Sequence, residues 1–170
     1  MTDADREREA LQNLIDRLPA AKLSTAGVYR EAVHAPEVLN EATAYGSTFP
    51  RAITFEIPGF ALMEISGTAS IGPDGRTLYR GEFGAQAWRT FRNITVLLDQ
   101  KGFSWMDVIR TRCYLRDIER DYVAFNAIRT EFYKAVGLVI PPASVGIQAI
   151  LCRPDLLIEI EATAVRRVEP

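Results

Sequence analysis

The chain has 170 residues, 48% hydrophobic and 25% charged, with a formal net charge of -2. That is ordinary globular composition, at the length of one domain carrying an extension. The near-neutral balance gives no electrostatic basis for holding nucleic acid or an anionic membrane, and positive charges are interleaved with acids, as in Arg116-Asp117 and Glu119-Arg120-Asp121.

Residues 3–18 read as an amphipathic helix, with Leu11, Leu14, Ile15 and Leu18 at i, i+3, i+4, i+7 and Pro19 ending it. From Ala20 to Pro50 the periodicity is weak, with short helical candidates around 26–33 and 36–42. Residues 1–50 are therefore expected to be an N-terminal helical extension, and 51–170 the regular domain. Ile53–Ile57 and Phe60–Ser66 form a hairpin across Pro58-Gly59. Gly72-Pro73-Asp74-Gly75 is a turn. Gly84–Lys101 is a strong helix, with Trp88, Phe91, Ile94, Thr95 and Leu98 in one stripe and Gly102 as its C-cap.

Val108–Leu115 alternates as a strand: Ile109, Thr111, Cys113 and Leu115 face one way, Val108, Arg110, Arg112 and Tyr114 the other. Glu119–Ala135 is a second helix, with Tyr122, Phe125, Phe132 and Tyr133 near one face. Ser144–Leu151 and Leu156–Val165 are the last strands, joined at Arg153-Pro154-Asp155. The order β-β-α-β-α-β-β lets two helices cover one face of a sheet. The other face then carries Val108, Arg110, Arg112, Tyr114, Gln148, Glu159, Glu161 and Val165. So half-polar a face suits a subunit interface holding functional groups.

Chemistry-bearing residues are few. Arg129 lies beside the apolar stripe of its helix, with Asn126 one turn away. It either clamps a ligand carboxylate or snorkels to a structural acid. Glu159 and Glu161 share a strand face about 7 Å apart. Either serves as a general acid or base if desolvated, or pairs across strands with Arg110 or Arg112. Ser66-Gly67-Thr68 ends a strand with small residues, where backbone N–H groups can meet a ligand or simply turn the chain. Ser144 has no GxSxG context and no histidine base, which argues against a serine hydrolase. His34 is the single histidine, and Cys113 and Cys152 lack metal or CxxC spacing, so neither metal, cofactor nor disulfide is expected. The charged N-terminus and the lack of a span-length apolar run predict a cytoplasmic protein.

From Phe60 to Arg167 the chain resembles the RidA (YjgF) family. The resemblance rests on Ile65-Ser66-Gly67, Gln86, Asn93-Ile94, Val108 through Asp117, Phe125-Asn126, Phe132, Pro142, Ser144 and Ile158-Glu159-Ile160-Glu161-Ala162. It implies an α+β domain resembling bacterial chorismate mutase, forming homotrimers with ligand pockets at the subunit interfaces. It also implies hydrolysis of reactive enamines and imines, such as 2-aminoacrylate, to keto acids and ammonia. The family's water-positioning acid corresponds to Glu159. Its carboxylate-holding arginine corresponds to Ala143, its nearby cysteine to Val145, and a pocket tyrosine to Arg129.

The expectation is thus an enzyme acting on a small carboxylated substrate. Glu159 would be catalytic, Arg129 would replace the missing arginine, and Asn126, Ser66, Gly67, Thr68 and Ser144 would complete the binding site. Ser66–Ser70 and Cys152–Glu161 also resemble the C-terminal half of chorismatases, proteins about twice this length. A chorismatase-like hydrolase and a non-catalytic ligand-binding trimer are the alternatives. RNA cleavage is not supported in a chain of charge -2 with no catalytic His pair.

Overall fold

The computed structural model describes residues 2–17 and 29–168. The chain divides between Arg30 and Glu31 into two units. In the first, helix α1 (Asp3–Ile15) opens on a capping box: Thr2 Oγ1 accepts from the Asp5 backbone N–H, and Asp5 accepts from that of Thr2. Leu11 and Leu14 of the expected stripe are exposed. Leu18 and Pro19, on which the expected helix end rests, lie outside the described residues.

The second unit is a six-stranded sheet in the order β1-β2-β3-β6-β4-β5. Its strands are β1 (Arg30–Val33), β2 (Ala52–Ile57), β3 (Phe60–Ala69), β4 (Val108–Leu115), β5 (Ala143–Gln148) and β6 (Ile158–Arg167). Helix α2 (Phe83–Asp99) joins β3 to β4, and α3 (Ile118–Ala135) joins β4 to β5. The pairs β2–β3, β3–β6 and β4–β6 are antiparallel. The β4–β5 pair is parallel, as a helical crossover requires. This is the expected β-β-α-β-α-β-β order with one edge strand added.

Helix α1 stands as expected, but the added strand corrects the expectation of short helices around 26–33 and 36–42. The described part of 26–33 is strand β1, and 36–42 gives turns followed by a single 3₁₀ turn, Ala42–Tyr45. Segments this short do not nucleate a helix alone; burying Val33, Ala35, Leu39 and Ala42 against the sheet decides their conformation.

The core lies between the sheet and the two helices. Phe91 of α2 stacks on Phe132 of α3 with centroids 4.4 Å apart, and Trp105 meets Phe132 edge-on at 5.0 Å. Gly102, at φ 67, ends the α2 turn, so the Phe103 N–H reaches the Leu98 carbonyl at 3.0 Å. Two fully buried amides tie helix α2 to the sheet ends. Asn93 Nδ2 donates to the carbonyls of Ala69 (2.9 Å) and Ile71 (3.0 Å). Gln86 donates to the Asp155 carbonyl and accepts from the Leu157 N–H. Asn93→Ala leaves the Ile71 carbonyl without its donor, while the Ala69 carbonyl keeps the Ile71 N–H at 2.8 Å, and is expected to cost about 1–3 kcal/mol, measurable as a lower urea midpoint at unchanged slope.

Two bulges set which side chains meet. The β4–β6 register passes from Val108↔Ala164 to Arg110↔Thr163, placing one extra residue on β4. The extra residue reverses the expected alternation at the strand start: Val108 is buried while Ile109 is 53% exposed. Gln148, expected on the open face, instead accepts a hydrogen bond from the Ile118 N–H and caps α3. The second bulge lies between Ile65 and Thr68 of β3, so Ser66 and Gly67 have no register partner on β6.

Candidate active site

The bulge at Ser66–Gly67 opens a cleft of about 400 Å³ over the β3–β6 seam. Glu159 and Glu161 of β6 form its floor. Its walls are Tyr45, Ser47, Phe49 and Arg51 on one side and Cys152, Arg153 and Leu156 on the other. Each wall is fixed by polar contacts. Arg51 is only 4% exposed, and its guanidinium donates to Asn40 O at 2.7 Å and Asn40 Oδ1 at 3.0 Å, which anchors the loop leading into β2. The 152–156 turn is held by Arg116, which donates to the carbonyls of Leu156 and Arg153. Ser66 Oγ donates to the Pro50 carbonyl at 2.8 Å, closing the loop onto β3.

Glu159 is the distinctive group. Its carboxylate lies directly over Gly67: an ideal Cβ on Gly67 would overlap Glu159 Oε1 and sit 2.9 Å from Cδ. Only glycine leaves that space at this position. No donor among the described residues hydrogen-bonds the carboxylate. Burial, and next the neighbouring Glu161, push its pKa up, with Arg51 opposing them. Glu161 differs. It faces Arg112 in register across β4 and pairs with it at 3.3 Å, and it accepts from Tyr114 OH at 3.2 Å. Its role is cross-strand pairing, one of the two readings open from sequence. Two carboxylates on one strand are thus driven apart in character by their partners.

The expected binding residues fall into two groups. Ser66 and Gly67 line the Glu159 cleft, whereas Thr68 is fully buried behind it, donating to the Ser66 carbonyl. Arg129, Asn126 and Ser144 meet on α3 and β5. Arg129 donates to Ser144 Oγ at 3.1 Å and to Asn126 Oδ1 at 2.6 Å, with its guanidinium 5.1 Å from the Phe125 ring centroid. No carboxylate pairs with it among the described residues, and it does not line the cleft of its own chain. Ala143 begins β5 beside Arg110, its register partner.

A family model described as Endoribonuclease L-PSP matches residues 57–166. The chain belongs to this family, within the RidA/YjgF superfamily. A RutC family protein of Pyrococcus horikoshii is 31% identical over 100 residues, covering 59% of this chain and 75% of that one. A protein of Acinetobacter baylyi named 3-aminoacrylate deaminase RutC is 29% identical over 103 residues, 61% of this chain and 78% of that one. Among solved structures, the YjgF gene product of E. coli superposes with a TM-score of 0.66 at 20% identity, over 81% of this chain and 99% of that chain. E. coli TdcF with bound serine gives 0.65 at 18%, over 80% and 98%. These structural likenesses establish the fold.

Within this L-PSP-family chain, sequence reasoning missed Tyr45, Phe49, Arg51 and Arg153, although each lines the cleft beside Glu159. Three precede β2 in a segment without periodicity, and only the folding back of that loop brings them in. The available signal was that Arg153 lies in the turn leading to the Glu159 strand, and that Arg51 sits between Pro50 and an apolar run. Among the described residues, no helix is long and apolar enough to cross a membrane.

Proposed function

We propose that this L-PSP-family protein hydrolyses small carboxylated imines or enamines, with Glu159 handling the proton and water. The observation that carries the reading is the desolvated Glu159 carboxylate, free of hydrogen-bond donors, seated on Gly67 in an open cleft. The relative named as a 3-aminoacrylate deaminase supports the same chemistry.

Glu159 accepts a proton from water as the water oxygen bonds to the imine carbon. The C=N π pair moves to nitrogen, which takes that proton from Glu159, giving the neutral carbinolamine and restoring the carboxylate. The carbinolamine then collapses: Glu159 takes the hydroxyl proton and passes it to the nitrogen, C=O forms as the C–N bond breaks, and ammonia leaves. A carboxyl group with a raised pKa suits both steps, because it acts first as a base and then as an acid in each.

The working unit in this proposal is a homotrimer. Ile109, Val145 and Ile147 are exposed apolar residues of the sheet, and Arg110 is exposed beside them. That pattern suits burial against further copies. Ala143 favours the second reading, a trimer that binds a ligand without turning it over. The deciding measurement is ammonia and keto-acid release from enzymatically generated 2-aminoacrylate and 2-iminobutyrate, on protein whose mass is determined by light scattering. Turnover by a particle of three chains is the expected result. A trimer that accelerates neither hydrolysis moves the protein to the binding reading, and a monomer removes the interface pocket.

A further inference from the structure

Two guanidinium groups lie against one aromatic ring in the Glu159 cleft. Arg51 Cζ is 5.4 Å from the Tyr45 ring centroid, and Arg153 Cζ is 5.6 Å from it. Arg51 contacts Asn40 through Nε and Nη2, and Arg153 contacts the Gly75 carbonyl through Nη1 at 2.6 Å. The remaining donors of both, Nη1 of Arg51 and Nε and Nη2 of Arg153, have no partner among the described residues. Neither arginine is ion-paired there. Arg51 is almost wholly buried, and Glu159, the carboxylate that shares the cleft with both arginines, makes no hydrogen bond or ion pair to either among the described residues. A buried, unpaired guanidinium is costly unless an anion completes it.

We propose that Arg51, Tyr45 and Arg153 form the carboxylate-binding pole of this cleft. The inference rests on the proposed function for the identity of the site, but its own content is where the anion is held. A carboxylate would take the free guanidinium donors of one or both arginines, with the Tyr45 ring fixing their planes. The body of the substrate would then lie toward Phe49, Ala69, Ile71 and Leu156, and its reacting carbon toward Glu159. This assigns the clamp to the loop before β2 and the turn before β6. It takes the place of the arginine that Ala143 lacks, and of Arg129, whose guanidinium already serves Ser144 and Asn126.

The test is calorimetric binding of pyruvate and benzoate, each compared with its neutral amide, to the full-length wild type, Arg153→Met and Arg129→Ala. Arg51 also anchors Asn40, so Arg153, which is less buried, is the residue to vary. Both acids are expected to bind the wild type at least about tenfold more tightly than their amides, as a charge-assisted pair predicts. That preference should shrink toward unity in Arg153→Met. Equal binding of acids and amides by the wild type overturns the proposal without any variant. So does a preference lost in Arg129→Ala but kept in Arg153→Met. Ammonia release is read separately. A protein that prefers acids through Arg153 yet hydrolyses no imine keeps the anion pole and loses the hydrolase reading, and hydrolysis without acid preference does the reverse.

Discussion

Glu159→Gln is expected to lower the proposed imine turnover by about 10²–10⁴-fold while leaving the fold intact. Glutamine fills the same space over Gly67 but accepts no proton from water. The wild-type pH–rate profile should carry an acid limb above the ordinary carboxylate range, because burial and then Glu161 raise the Glu159 pKa, and that limb should vanish in the variant. Stability should move in the opposite direction. A carboxyl group whose pKa is raised by folding contributes stability that is fully present below its unfolded pKa and is lost as pH rises through the folded value. Glutamine has no such loss. Thermal midpoints of wild type and variant should therefore lie close together near pH 4 and separate toward pH 8, with the variant higher. Lower activity combined with higher stability cannot arise from misfolding. Retained turnover, or a variant less stable at every pH, would remove Glu159 from the chemistry.

Gly67→Ala tests the same carboxylate from the opposite strand. The added methyl overlaps Glu159 Oε1, and the group that can yield is the end of a flexible side chain, not backbone. The fold should survive with a small change in melting temperature. The carboxylate, however, must swing away by a distance of the order of 1 Å, and misplacement on that scale can cost about 10²-fold in rate. The diagnostic is a fall in kcat, the rate at saturating substrate, with an unfolding midpoint near that of wild type. Unchanged kcat would show that the Gly67–Glu159 contact does not position the reacting groups. A double variant with Glu159→Gln should show no further loss, since both changes act on one carboxylate.

The helices and strands around the core were legible because their signals are local. Phe91, Ile94 and Leu98 recur at helical spacing, and Ile158, Ile160, Ala162 and Ala164 at strand spacing, and all are buried as that periodicity requires. The faces of β4 were misread at its start because a bulge inserts a residue at Ile109, and a bulge is a property of the pairing with β6, not of one strand's composition. Arg129 was rightly placed beside Asn126 and Phe125, since i, i+3 and i, i+4 geometry is fixed within a helix. Its distance from the cleft was not legible, because that depends on how α3 packs on the sheet.

The sequence alone therefore determined the class of fold and the identity of Glu159 as a carboxylate projecting from the last strand. These follow from periodicity and from residue identity at single positions. Only the tertiary structure decided that Glu161 is neutralised by Arg112 while Glu159 is left unpaired over Gly67, and that Arg51 and Arg153 converge on Tyr45. Charge compensation and desolvation are properties of neighbours in space. Arg51 and Arg153 stand 102 residues apart in the chain, and the folded loop before β2 and the turn before β6 bring them to one ring.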